Sequence, residues 1–119
     1  MKPTILIVDD HPSYRGFARR LLEADGFAVV GEAGDGVSAL AASRALRPQL
    51  VLLDILLPDT DGFSVAEALA REPQPPVVIL TSSREASDYA TRLECTSARG
   101  FIGKSELSGP ALAALIDDG

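Results

Sequence analysis

The sequence predicts an α/β fold: a parallel β-sheet with helices on both faces. Three observations lead to it. Strand-like and helix-like segments alternate along the whole chain, five times over, and strands joined through helices must run parallel by right-handed crossovers. The runs Ile5-Leu6-Ile7-Val8, Leu50-Val51-Leu52-Leu53 and Val77-Val78-Ile79-Leu80 are apolar without alternation, as strands covered on both faces are. Polar residues collect immediately after these runs, at Asp9-Asp10, Asp54 and Thr81-Ser82.

The elements follow in order. Residues 4–8 are apolar and largely β-branched, bounded by Pro3 and Asp9. Residues 13–25 form a helix, because Tyr14, Phe17, Leu21 and Leu22 recur at helical spacing. Pro12 suits its first turn, where a missing N–H costs nothing, and Gly26 suits its stop. A second strand spans 28–33. Asp35-Gly36 is a turn, and an Ala-rich helix over 37–46 closes before Pro48. The third strand is 50–53. A helix over 62–71 presents Phe63, Ala66 and Leu69 and is ended by Pro73, Pro75 and Pro76. The fourth strand is 77–81. A weaker helix over 85–95 has Ala86, Tyr89, Ala90 and Leu93 as its apolar stripe, and Cys95 is expected to be half-buried packing. The fifth strand is 99–103, and a short helix opens near Ser108 and Pro110.

A chain of 119 residues is expected to form one domain, residues 1–119. Its net charge of −6 argues against nonspecific binding of nucleic acid, which needs clustered Lys and Arg. One cysteine permits no internal disulfide. No apolar stretch approaches the ~20 residues of a membrane span. Met1-Lys2-Pro3-Thr4 leads directly into the first strand, so no signal peptide is expected and the location expected is the cytoplasm.

In open α/β sheets ligands bind outside the carboxyl ends of the strands. That rule gathers Asp9, Asp10, Asp54, Thr81 and, after Gly100-Phe101-Ile102-Gly103, Lys104 at one edge. Three carboxylates, a hydroxyl and an ammonium are the chemistry of a cation-assisted phosphoryl acceptor. Each residue alone has a plainer reading, as a loop cap, a turn aspartate, a strand-end threonine or a surface lysine. Asp59 and Asp61 read as solvated turn residues, and His11 as a polar loop histidine. Gly62 is expected to need a positive φ or a close approach.

The ordered set Val8-Asp9-Asp10, Leu53-Asp54, Pro58, Asp61-Gly62, Thr81-Ser82 and Lys104, over residues 4–117, resembles the response-regulator receiver domain of bacterial two-component systems. Asp9-Asp10-His11-Pro12 is similar to the branch often joined to a helix-turn-helix output domain, and the resemblance leaves open a stand-alone receiver or the receiver half of a DNA-binding transcriptional regulator. The resemblance implies a flavodoxin-like (βα)5 sheet with strand order 2-1-3-4-5. It implies that Asp54 accepts a phosphoryl group and that Asp10, Asp54 and the backbone carbonyl of Leu56 ligate Mg²⁺, with Asp9 acting mostly through water. Lys104 and Thr81 would contact phosphoryl oxygens. Thr81 and Phe101 would move together as a switch, although Phe101 reads equally as a plain core residue. The implied partner is a sensor histidine kinase or phosphotransfer protein, with a homodimer possible on phosphorylation and no contact to nucleic acid or membrane through this domain. Such a domain catalyses only its own phosphorylation and dephosphorylation.

One departure stands out: Ser105 follows the lysine where the family often has proline with a cis bond. Other classes fit less well. A phosphatase of the haloacid-dehalogenase type needs a second acid two residues after its nucleophile, where this chain has Leu56. A flavin-binding protein needs hydroxyls and glycines after the first strand rather than Asp9-Asp10. A degenerate receiver, binding partners without phosphorylation, stays as the alternative.

Overall fold

The computed structural model describes residues 2–117, without the side chain of Asp117. Five parallel strands form one sheet in the order β2-β1-β3-β4-β5: β1 (Thr4–Val8), β2 (Ala28–Ala33), β3 (Leu50–Asp54), β4 (Val77–Ser82) and β5 (Gly100–Gly103). The helices are α1 (Pro12–Ala24), α2 (Gly36–Leu46), α3 (Gly62–Ala70), α4 (Ala90–Cys95) and α5 (Gly109–Asp117).

Side chains of successive strand residues point to opposite faces, and this divides the core in two. Leu6, Val8, Val51, Leu53, Val78 and Leu80 pack with Ala39, Phe63, Ala66 and Leu69 on the α2–α3 side. Ile5, Ile7, Leu50, Leu52 and Ile79 pack with Ala18, Leu22 and Leu112 on the α1–α5 side. Both sets are needed, which is why the central strands lack polar alternation. Truncating any of these leucines to alanine costs about 2–5 kcal/mol.

Pro12 opens α1 at its first turn, and Gly26 beyond its end has φ +98°. The segment 85–95 departs from expectation. It is a 3₁₀ turn, Ala86–Tyr89, followed by a six-residue α4, and neither piece contains a buried residue. Half of its stripe is alanine, and the stripe buries too little area to hold a long helix against the sheet. Cys95 is exposed rather than half-buried.

The edge strand β2 is tied to α1 by Glu32, which accepts from Arg19 Nε at 2.7 Å and Arg15 Nε at 3.1 Å. The Arg19 hydrogen bond, helped by Arg15, holds the Glu32 carboxyl below its usual range against some burial. An acid with a depressed folded pKa contributes stability above its unfolded pKa, near 4.3, and loses it as pH falls through the folded value. Glu32→Gln is therefore expected to cost about 0.5–1 kcal/mol at pH 7, since the pair is partly solvated. Urea unfolding midpoints of variant and wild type should converge as pH falls below about 4.3.

Candidate functional site at the carboxyl edge of the sheet

The parallel register brings the polar residues together. Asp9 follows β1, Asp54 ends β3 directly opposite Thr81 of β4, and Lys104 follows β5. Asp9 and Asp54 are 1% and 3% exposed, too little for water to stabilise either charge. Lys104 Nζ reaches Asp9 Oδ2 at 2.5 Å and Asp54 Oδ2 at 3.0 Å. The Leu56 N–H donates to Asp54 Oδ1 at 3.0 Å, so both oxygens of Asp54 are held. Asp10 is the exposed member of the acidic set.

The electrostatics are uneven. Burial pushes the Asp54 carboxyl up and the nearby Asp9 charge adds to this, only partly offset by the Leu56 N–H and Lys104. Burial also pushes Asp9 up, but there Lys104 and the His11 N–H win, and the carboxyl lies below its ordinary value. Lys104, although desolvated, is raised by its two carboxylate partners. One ammonium thus serves two buried acids, with the shorter contact to Asp9.

Several residues of the site carry no role in it from the sequence alone, where His11 reads as a polar loop histidine and Tyr14 as part of a helix face. His11 donates its backbone N–H to Asp9 Oδ1 at 2.8 Å, and its Nδ1 stands 3.1 Å from Asp9 Oδ1 and 3.0 Å from Asp10 Oδ1. Oxygen or nitrogen atoms of Asp9, Asp10, His11 and Asp54 all lie within 4.8 Å of one another. The Arg15 guanidinium donates to the Asp9 carbonyl at 2.6 Å. Tyr14 places its ring 4.7 Å from Lys104 Nζ. Burial, then the charges of Asp9 and Asp54, pushes its phenol up to about 12, with the Thr81 hydroxyl nearby acting the other way. The two hydroxyls sense each other but form no hydrogen bond.

Thr81 is 1% exposed and its Oγ1 has no hydrogen-bond partner among the described residues. Phe101 is half-buried, its ring centroid 6.3 Å from that of Tyr89, which lies 6.0 Å from Phe63. The Tyr89 hydroxyl meets Ser82 Oγ at 3.1 Å. Arg92 of α4 lies 4.2 Å over the Phe63 ring and 3.2 Å from Asp61 Oδ2. All peptide bonds among the described residues are trans, including that from Lys104 to Ser105.

Asp59 and Asp61 are not simply solvated. Asp61 caps α3 by accepting from the Ser64 N–H at 2.8 Å, the usual service of an N-cap aspartate. Asp59 accepts from the Gly36 and Val37 N–H groups at the start of α2. Gly62 serves close approach rather than positive φ: a Cβ there would lie 2.5 Å from the Asp54 carbonyl oxygen and 2.8 Å from Ile55 Cα. Both obstacles are backbone, so Gly62→Ala must move α3 against β3. It is expected to cost about 2–3 kcal/mol, read as a lower urea midpoint.

A five-stranded parallel sheet in this order, with carboxylates and one lysine at its carboxyl edge, defines the class of two-component signalling receivers. The family described as Response regulator receiver domain matches residues 5–116, and the chain belongs to that family. It is similar to the DNA-binding response regulator MtrA of Mycolicibacterium smegmatis, 42% identical over 96 residues, which are 79% of this chain and 41% of MtrA. It is also similar to the virulence-factor transcription regulator BvgA of Bordetella pertussis, 38% identical over 102 residues, 86% of this chain and 49% of BvgA. The signal receiver domain of the response regulator NarL from Mycobacterium tuberculosis superposes with a TM-score of 0.85 at 31% identity, covering 98% of each chain. The chain spans about half the length of the curated relatives it matches. No helix among the described residues is long and apolar enough to cross a membrane.

Proposed function

We propose that Asp54 is the phosphoacceptor of this receiver domain, taking its phosphoryl group from a histidine kinase or phosphotransfer protein. The observation that carries the reading is the state of Asp54: buried at a strand end, with one oxygen on the Leu56 N–H and the other on Lys104. An oxygen of Asp54 attacks phosphorus, the P–N bond of the donor phosphohistidine breaks, and the departing imidazole takes up a proton. The product is an acyl phosphate. Lys104 stays as a fixed cation beside the transferring group, and Thr81, whose hydroxyl has no partner among the described residues to give up, donates to a phosphoryl oxygen. Phosphoryl transfer is catalysed mainly by such positioning and charge.

The donor set suits Mg²⁺, a hard ion that takes one or two carboxylates alongside phosphate and water. Asp10, Asp54 and the Leu56 carbonyl would hold it, with Asp9 assisting. When bound, the ion neutralises charge that one lysine cannot: two unit negative charges about 4 Å apart repel by about 4 kcal/mol at an effective dielectric of 20. Thr81 and Phe101 then form the switch, coupling the phosphoryl group to the β4–α4 and β5 surface. Residues 1–119 act as one domain, catalysing only their own phosphorylation and dephosphorylation in the cytoplasm. The names of MtrA and BvgA support an output in transcription, with DNA contacted by a separate domain; a homodimer forming on phosphorylation belongs to the same proposal and rests on the family resemblance alone.

The test is intact mass after incubation with acetyl phosphate, with Mg²⁺ and with a chelator. One added phosphoryl group that requires the metal is the expected result. No added mass, together with no beryllofluoride-induced spectral shift, would leave the degenerate receiver standing.

A further inference from the structure

Lys104 has a third neighbour besides its two carboxylates. Its Nζ stands 4.7 Å from the centroid of the Tyr14 ring, within the ~6 Å at which an aromatic face attracts a cation. The Lys104 side chain is only 15% exposed, and such attraction strengthens as water is excluded. Tyr14 sits in the first turn of α1, steadied by the Phe17 ring at 6.0 Å and by the α1–α5 side of the core. Lysine is a point charge on a flexible four-carbon stem, and two carboxylates on different strand ends do not by themselves fix where it rests. The Tyr14 hydroxyl is buried without a hydrogen-bond partner among the described residues, so it makes no hydrogen bond to the lysine.

We propose that Tyr14 is a positioning residue of the site: its ring holds the Lys104 ammonium against Asp9 and Asp54, so that the cation is in place before the phosphoryl donor arrives. The proposal rests on the reading of Asp54 as acceptor and adds a residue from α1 to the strand-end set. It requires the ring and not the hydroxyl, which separates it from a hydrogen-bonding role. A tyrosine that merely fills the core would affect stability and leave the lysine undisturbed.

The test uses the full chain as wild type, Tyr14→Phe and Tyr14→Leu. The first readout is the ¹H–¹³C NMR signal of the Lys104 ε-methylene, whose protons are expected upfield of ordinary lysines through the ring current. The shift should persist in Tyr14→Phe and vanish in Tyr14→Leu. The second is the limiting rate of phosphorylation by acetyl phosphate with saturating Mg²⁺. Tyr14→Leu should be about tenfold slower, and Tyr14→Phe should recover the rate to within about twofold. A wild-type Lys104 signal at the ordinary lysine position overturns the proposal, even if Tyr14→Leu does not fold. So does a folded Tyr14→Leu that is phosphorylated at the wild-type rate. Failure of the wild type to take up phosphate would instead remove the reading of Asp54, and the NMR shift would still decide whether Tyr14 holds the lysine.

Discussion

Asp54→Asn is expected to abolish phosphorylation and, in the absence of divalent metal, to make the folded protein more stable. The first effect follows from chemistry. An amide is no nucleophile toward phosphorus, and loss of a covalent nucleophile lowers the rate by about 10³-fold or more. The second follows from electrostatics. Asp54 is buried, lies near Asp9 and shares its lysine, so its folded pKa is raised. An acid with a raised folded pKa costs stability above that pKa, and the cost is relieved as pH falls through it. Asparagine keeps an oxygen for the Leu56 N–H and removes the charge. We expect a gain of about 1 kcal/mol at pH 7. Mg²⁺ should close the gap by stabilising the wild type through binding. Thermal unfolding of both proteins, with and without Mg²⁺, reads both signs. Equal stability without metal would show that Lys104 already compensates Asp54 fully.

Lys104→Met is expected to act in the opposite direction. It removes the ammonium from two carboxylates that are each nearly inaccessible to water. Breaking a buried pair from one side is far more damaging than its net worth, because the partner charge stays behind, and the cost is about 3–5 kcal/mol. Asp9 and Asp54 would respond by rising in pKa, so the penalty is fully present at neutral pH and shrinks as pH falls and they take up protons. Loss of the fixed cation should also slow phosphorylation by about 10²–10³-fold. Urea unfolding across pH 4 to 8, an interval chosen around the ~3.9 of an ordinary aspartate, would show a variant that approaches wild type on the acid side. A pH-independent loss would mean that Lys104 contributes packing rather than charge.

Much of this could be read without coordinates. The three apolar runs declare strands covered on both faces, and the rule that ligands gather at strand carboxyl ends brings Asp9, Asp54, Thr81 and Lys104 into one place before any distance is known. What escaped the sequence depends on direction rather than composition. Tyr14 lies at helical spacing with Phe17, Leu21 and Leu22, and spacing alone cannot say that its ring meets a lysine from beyond β5. His11 next to two aspartates gives the same pattern whether it faces away from them or toward them. Asp59 reaches the start of α2 across 23 residues of chain, which no local signal reports. Asp61 did carry a signal, an aspartate three residues before Ser64, and the cap could have been found from it. The segment 85–95 has the right periodicity with the wrong bulk, and the fold answers with a turn and a short helix.

That weakly built segment changes what a phosphoryl group would have to accomplish. No residue from Ala86 to Cys95 is buried. Its side-chain moorings include the Tyr89 ring against Phe63 and Phe101, the Tyr89 hydroxyl on Ser82, Arg92 on Phe63 and Asp61, and Leu93 packed against the α2–α3 side of the core. Aromatic pairs, a neutral hydrogen bond and a cation–π contact are each worth about 0.5–1.5 kcal/mol. A charge-assisted hydrogen bond of the kind a phosphoryl oxygen accepts is worth about 1.5–3 kcal/mol. One such bond is worth as much as or more than any single one of these moorings, though not more than their sum. If Asp54 takes the phosphoryl group as proposed, one covalent event there can displace individual moorings of this segment without unfolding the sheet beneath it, because this flank is lightly ballasted.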